Sequence, residues 1–165
     1  MPLKAQIAAG IALLQTSALD LGMPTFQINK VDDITLNDGN GSNQANKIFS
    51  DTRTIAASAN DDLDLAGSLV DALGAVLTFT AIKAIYIRAS SANINNVVVG
   101  GAPTNTFVGR FGAATHTIAL RPGDRDVQVT PGTGWNVVAG TGDILRIANS
   151  GAGSTVDYDI IIIGI

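Results

Sequence analysis

The chain has 165 residues, of which 46% are hydrophobic, so it is long and apolar enough for one domain with a buried core. Only 15% are charged and the formal net charge is −4, so we expect neither nucleic acid nor membrane as a partner. The absence of cysteine excludes disulfides and thiolate chemistry. All fourteen acidic residues are Asp, and with abundant Gly, Thr and Asn this composition is typical of strands and turns. We therefore expect an all-β protein.

The first 22 residues permit two structures. Gly10 lies in the middle of the segment and Asp20 would lie at the unfavourable end of a helix dipole, which favours an extended arm. Apolar residues nevertheless recur every three or four positions, as on one face of a helix. These are Leu3, Ile7, Ile11, Leu14, Ala18 and Leu21. Both alternatives stay open, and we assign residues 1–30 to an N-terminal arm or short helix and residues 31–165 to a β-sandwich domain.

The rest of the chain alternates short apolar segments with turns rich in Gly and Pro, a pattern typical of a sandwich or jelly roll. The expected fold is a single antiparallel β-sandwich or jelly roll. In the longest segment, alternation predicts that Ile82 and Tyr86 lie on the face opposite Lys83, Ile85 and Ile87. The predicted strands cover residues 25–31, 34–36, 47–57, 62–66, 76–88, 97–99, 106–111, 117–120, 126–130, 135–139, 143–148 and 155–165.

The final predicted strand changes character along its length. Val156 and Tyr158 alternate with Asp157 and Asp159, which predicts one buried and one wet face. Four isoleucines follow at 160–163, and a continuous β-branched run is typical of a strand covered on both faces. We expect this strand to be central, with its second face against another core layer or a subunit. The residues predicted at an oligomer or capsid interface are Leu3, Ile7, Ile11, Leu14, Ile161 and Ile163.

Residues suited to catalysis are few. His116 is the only histidine, which excludes a multi-histidine metal site within one chain. Asp61, Asp62 and Asp64 form the densest acidic cluster, but a strand would place Asp62 and Asp64 on a wet face opposite leucines. Trp135 could stack on a sugar or cap the core, and we favour the core. We expect no enzymatic activity, no cofactor and no metal.

Three blocks of sequence resemble small structural proteins of tailed bacteriophages. Asp-Leu-Ala-Gly-Ser-Leu-Val-Asp-Ala-Leu-Gly at 64–74 leads into Leu-Thr-Phe-Thr-Ala-Ile-Lys-Ala-Ile at 77–85. Leu-Arg-Pro-Gly at 120–123 forms a turn, and Gly-Asp-Ile-Leu-Arg-Ile-Ala-Asn at 142–149 leads to the closing strand at 158–164. The likeness covers residues 35 to 165, and these blocks are strand and turn patterns rather than catalytic signatures.

The resemblance implies a β-sandwich that oligomerises, as a homotrimer, on the capsid surface of a virion. Its expected partners are further copies of itself and the major capsid protein, and its expected role is that of a capsid decoration, or cement, protein. Two alternatives remain open. One is a domain of a fibre or spike, and the other is a lectin-like receptor binder that uses Trp135 and loop aspartates.

Overall fold

The computed structural model describes residues 2–165, and in that range it contains strands and irregular connections without a helix. The predicted all-β fold is confirmed. The strands are β1 Ala5–Thr16, β2 Thr25–Asp38, β3 Gln44–Ala45, β4 Lys47–Ile55, β5 Asn60–Asp64, β6 Ala81–Ala89, β7 Val97–Gly100, β8 Thr117–Leu120, β9 Arg125–Val129, β10 Trp135–Asn136, β11 Ile144–Asn149 and β12 Val156–Gly164.

Strands β4 to β12 form the predicted antiparallel sandwich. One sheet has the order β10-β6-β12-β4, with β9 also paired to β6. The second sheet has the order β5-β11-β7-β8. Apolar side chains from both sheets meet in one buried core, because alternation along each strand directs every second residue inward. Its large, fully buried members include Tyr158, Phe79, Phe107, Leu63, Leu65 and Leu145.

Strand β12 lies between β4 and β6 and pairs with both. Its inward side chains, from Val156 to Ile162 at every second position, are fully buried in the core. On the outward face, Asp157 and Asp159 are accessible, Ile161 is 37% exposed and Ile163 is buried. The strand is therefore central, as expected, and only part of its second face is covered within the chain.

Strands β1 and β2 form a long antiparallel hairpin, which we call the ribbon (residues 5–38). Pairing runs without interruption from Ala5 opposite Leu36 to Thr16 opposite Thr25. The helical alternative for the first 22 residues is therefore wrong. The three- and four-residue spacing arose because both faces of β1 carry apolar side chains, with Ile11 on one and Leu14 on the other. β2 is continuous where two strands were predicted, and its pairing crosses the predicted boundary at residue 30.

A β-bulge in β6 corrects the predicted faces of that strand. Ile163 is opposite Ala84, but Gly164 is opposite Ile82, so Lys83 is the extra residue. One extra residue reverses the alternation, and Ile82 consequently joins Ile85 in the core rather than facing away from it. The strand also begins at residue 81 instead of 76, because the preceding residues form an irregular connection.

The side chain of Lys83 is buried at this bulge and links two loops. Its ammonium group donates to the carbonyl of Gly41, at 3.3 Å, and to the carbonyl of Gly132. The Gly41 loop directly follows the ribbon, so this lysine helps to hold the base of the ribbon against the sandwich.

The two faces of β12 predict different costs for one substitution. Ile162→Ala should lower the free energy of unfolding by about 2–5 kcal/mol because it opens a cavity in the core. Ile161→Ala should cost less than about 1 kcal/mol, because this side chain is already partly in water. Urea unfolding at a concentration at which the protein is monomeric measures both values, and equal losses would contradict the assignment of faces.

Candidate interaction surface

The base of the ribbon is packed against the outward face of the sandwich. Odd-numbered residues of β1 and even-numbered residues of β2 share one face of the ribbon, because directly opposed residues point the same way. At the base this face forms a second, smaller core with β6, β9 and β12. Its members are Leu36, Ala45, Ala84 and Ile163, with Leu3, Ala5, Ile7, Ile34 and Val129 packed around them.

Further from the sandwich the same face of the ribbon is uncovered. We call Ile11, Leu13, Phe26 and Ile28 the distal face. Ile11 is 68% exposed and Phe26 is 57% exposed, and the other two are about 40% exposed. Four large apolar side chains in adjacent pairs form a contiguous patch, and such patches on soluble proteins mark sites of interaction.

The opposite face of the ribbon is more polar, and its tip is apolar. Leu14 and Val31 are exposed there among Gln, Thr and Asn side chains. At the tip, the amide of Gly22 donates to the carbonyl of Leu19 at 3.2 Å, which closes a two-residue turn. Leu19, Leu21 and Met23 are all exposed at this turn.

Residues 5–29 of the ribbon carry few of the charges that usually protect a free β-hairpin. Between Lys4 and Lys30 the only charged residue is Asp20. Natural edge strands commonly carry charges that block pairing with other chains, and an isolated two-stranded hairpin is only marginally stable in water. The composition of the ribbon is therefore suited to a covered surface.

A second uncovered apolar surface lies on the sandwich beside the base of the ribbon. Ile161, Tyr86 and Val127 are directly opposite one another on β12, β6 and β9, and we call them the outer row. They line a groove of about 300 Å³ whose other wall includes Ile7. The next row on the same sheet is charged and holds the ion pair between Arg88 and Asp159 at 3.4 Å.

The interface residues predicted from the sequence fall into two groups. Leu3, Ile7 and Ile163 take part in the second core within the chain. The exposed ones are Ile11, Leu14 and Ile161, and Leu14 lies on the ribbon face opposite Ile11. Sequence reasoning missed Leu13, the distal-face residues of β2 and two members of the outer row. The signal that could have found the distal-face residues is the pairing of residues 5–16 with 25–36, since the Asp20–Leu21 turn is flanked by two apolar segments.

The acidic cluster is divided between the two faces of β5. Asp62 forms a bidentate pair with Arg146, both contacts at 2.7 Å, and this hydrogen bonding lowers the pKa of Asp62. Asp61 faces the other way, where it accepts hydrogen bonds from the Tyr158 hydroxyl at 2.7 Å and from Arg53 at 2.5 Å. Among residues 2–165 no three His, Cys, Asp or Glu side chains are grouped in a way that could hold a metal ion.

The remaining candidates for chemistry have ordinary surroundings. Trp135 is half-buried and packs against the main core, which agrees with the favoured interpretation. His116 is exposed in the connection before β8. Within residues 2–165 there is no helix of the length and apolarity that crossing a membrane requires.

Tyr158 predicts a loss of stability in alkali. Burial and the carboxylate of Asp61 raise its pKa above the ordinary value of 10.0. Above pH 10 the unfolded chain releases this proton while the folded chain keeps it, so stability should fall as pH rises. Tyr158→Phe should flatten the fall by up to about 1.4 kcal/mol per pH unit, measured by urea unfolding between pH 9 and 11.5. Tyr86→Phe is the control, and an equal flattening in both variants would contradict this assignment.

Asp61 should contribute more than Asp62 to the free energy of unfolding. Asp61→Ala leaves the buried Tyr158 hydroxyl without its partner and should cost about 1–3 kcal/mol. Asp62→Ala breaks only a surface pair and should cost less than about 1 kcal/mol. Thermal unfolding at pH 7 compares them, and a smaller loss for Asp61→Ala would contradict the role given to the Tyr158 contact.

Comparison of the chain with protein-family models, with curated proteins and with solved structures finds no match.

Proposed function

We propose that the chain is a non-enzymatic structural protein of a tailed-bacteriophage virion, a decoration (cement) protein that binds the capsid surface as a homo-oligomer. Its partners in this proposal are further copies of itself, three in the assembled unit, and the major capsid protein. One observation carries the proposal. A long ribbon projects from a closed sandwich, its tip is apolar, and Asp20 is its only charged residue before Lys30; such a surface is suited to permanent burial against other proteins.

The order of the strands supports a viral setting. Leaving aside the two-residue β10, the sandwich has eight strands in chain order, from β4 to β12. One sheet then has the order 1-8-3-6 and the other 2-7-4-5. This is the order of a jelly roll, a fold that occurs in viral capsid proteins and lectins, so we propose that the sandwich is a jelly roll. The resemblance of residues 35 to 165 to phage structural proteins points the same way.

A structural rather than catalytic role is supported by the surroundings of the polar side chains. The most connected group, Asp61 with Arg53 and Tyr158, joins β5 of one sheet to β4 and β12 of the other. Asp61 accepts hydrogen bonds from both partners, and burial together with Asp61 raises the pKa of Tyr158, so this hydroxyl releases its proton less readily than an ordinary Tyr. This group therefore suits the closure of the sandwich.

A receptor-binding protein is the second candidate, and one observation favours it. A polar groove of about 360 Å³ lies on the outward face of the sandwich. Hydroxyl and carboxylate groups of this kind can bind sugars, although the single Trp packs on the core instead of lining the groove. The polar side chains that line it are Thr52, Thr54, Arg88, Ser90, Asp157 and Asp159.

Binding to empty capsids of the parent phage tests the proposal. Replacing residues 10–31 by Asn-Gly joins the paired residues Ala9 and Asp32 through a tight turn and keeps the base of the ribbon. We expect this variant to keep the circular dichroism spectrum of the sandwich and to lose at least 90% of capsid binding in a co-sedimentation assay.

The matched control is Ile94→Ser, which removes an exposed apolar side chain far from the ribbon in sequence and should bind like the wild type. Undiminished binding by the shortened variant would contradict the proposal. A few copies per particle, rather than hundreds, would favour the fibre or receptor-binding alternative, and glycan-array binding that is lost in Thr54→Val would favour the latter.

A further inference from the structure

We infer that the distal face of the ribbon of one copy packs on the outer row of a second copy. The inference rests on the self-association within the proposed function and names the two surfaces that carry it. Both surfaces are apolar, both lie outside the chain's own cores, and each lacks a partner within residues 2–165.

The contact inside the chain shows how the two surfaces fit. The ribbon base already packs Ile7 and Ile34 on the row of the sheet that holds Ile163, Ala84 and Val129. The outer row is the neighbouring row on the same face of the same three strands. Each of its residues is two positions away, along its strand, from a residue of the covered row. The distal face lies on the same ribbon face as the base contact, beyond the Lys30–Asp32 ion pair. The ribbon and the sheet thus each carry a covered apolar part at the base and an uncovered apolar part next to it.

The chain's own ribbon does not cover its outer row. The ribbon residues beside the groove are Gln6, Ile7 and Ala8. Residues 11–33 of the ribbon are exposed. Ile161 and Val127 consequently remain 37% and 46% exposed. A ribbon segment from another molecule can therefore reach this row without displacing the existing base contact.

The surface area of the chain is large enough for each copy to donate a ribbon to one neighbour and to accept a ribbon from another. The accessible surface is 9108 Å², which exceeds by about 1,400 Å² the roughly 7,700 Å² expected for a compact monomer of this mass. A standard interface buries about 800 Å² on each partner. A chain that donates its ribbon to one neighbour and accepts a ribbon from another would bury about twice that area. The excess is therefore of the size that one donated and one accepted contact require.

The charges near both surfaces favour a protein partner. The Lys30 ammonium pairs with Asp32 at 2.8 Å on the same face of the ribbon, where Lys30 is directly opposite Ile11, and Arg88 pairs with Asp159 beside the outer row. Both ion pairs form within one chain, so contact between the apolar patches does not require either pair to separate. No basic cluster flanks the distal face, so the patch lacks the positive charges that attract anionic lipid. Of the candidate occupants, a second copy fits best.

Paired polar substitutions test the two surfaces. Leu13→Thr with Ile28→Thr alters the distal face, and Ile161→Thr with Val127→Thr alters the outer row. Thr keeps strand propensity while removing apolar contact area. We expect each double variant to weaken self-association roughly 100-fold in light scattering or analytical ultracentrifugation, with an unchanged circular dichroism spectrum.

Leu14→Thr with Val31→Thr is the matched control, because it removes the same kind of side chain from the opposite face of the ribbon. It should associate like the wild type. A wild type that stays monomeric at 100 µM, or a control that loses association as fully as the distal-face variant, would overturn the inference.

Cysteine cross-linking identifies the contact between molecules, and the natural chain has no cysteine to interfere. A Leu13→Cys chain mixed with an Ile161→Cys chain should give a disulfide-linked heterodimer on mild oxidation. Leu14→Cys mixed with Ile161→Cys should give at most a tenth of that product. Equal yields would overturn the inference, as would a bond that forms only within one chain carrying both Leu13→Cys and Ile161→Cys.

These measurements use purified protein without capsids, so they separate the inference from the proposed function. Self-association through these surfaces together with failure to bind capsids would uphold the inference and reject the cement role. Capsid binding by a protein that is monomeric in solution would reject the inference alone. Binding of the wild-type monomer to neutral phosphatidylcholine vesicles, lost in the distal-face variant, would also reject it and identify lipid as the occupant.

Discussion

The contact between the ribbon base and the outward face of β6 and β12 determines the form of the molecule. Ile163 and Ala84 point away from the main core, and without Leu36 and its neighbours they would face water. Covering them stabilises the sheet by the ordinary hydrophobic contribution of about 25 cal/mol per Å². The same contact fixes where the ribbon leaves the sandwich, and Lys83 strengthens it by tying the adjacent loops together. The direction in which the ribbon presents its exposed apolar residues, from Ile11 to Val31, follows from it.

Apolar side chains are fully buried in the sandwich core and largely exposed on the ribbon. Core residues such as Phe107 and Leu145 have no exposed surface, whereas the distal face and the tip place large apolar side chains in water. Folding therefore buries the large apolar side chains of the sandwich core and leaves those of the distal face and the tip in water. In the proposed assembly the protein is expected to be most stable, because association adds to the folding free energy by mass action.

The sequence could predict which face of a strand some residues occupy, but it could not predict which strands pair. The two faces of β12 follow from alternation and the isoleucine run, since these properties belong to one strand. The pairing of β1 with β2 could not be predicted in that way, because periodicity reveals the faces of a strand and not its partner. Lys83 shows a further limit: a single bulge residue moved Ile82 to the other face, and it is visible only in the register with β12. Asp61 is similar, since its contribution to stability depends on a hydrogen bond from Tyr158, which is distant in sequence.

The place of β12 in the sheet has a consequence for biosynthesis. It is the last of the sandwich strands to leave the ribosome, yet it lies between β4 and β6, which emerge much earlier. Until β12 arrives, the edges of β4 and β6 that it will pair with have no partner, and the inward faces of both strands are apolar. The nascent chain thus has one unpaired edge once β4 is made and two once β6 is made, until β12 is complete, and unpaired strand edges promote aggregation. Translation speed and chaperone supply should therefore limit the yield of this protein more than the stability of its finished fold.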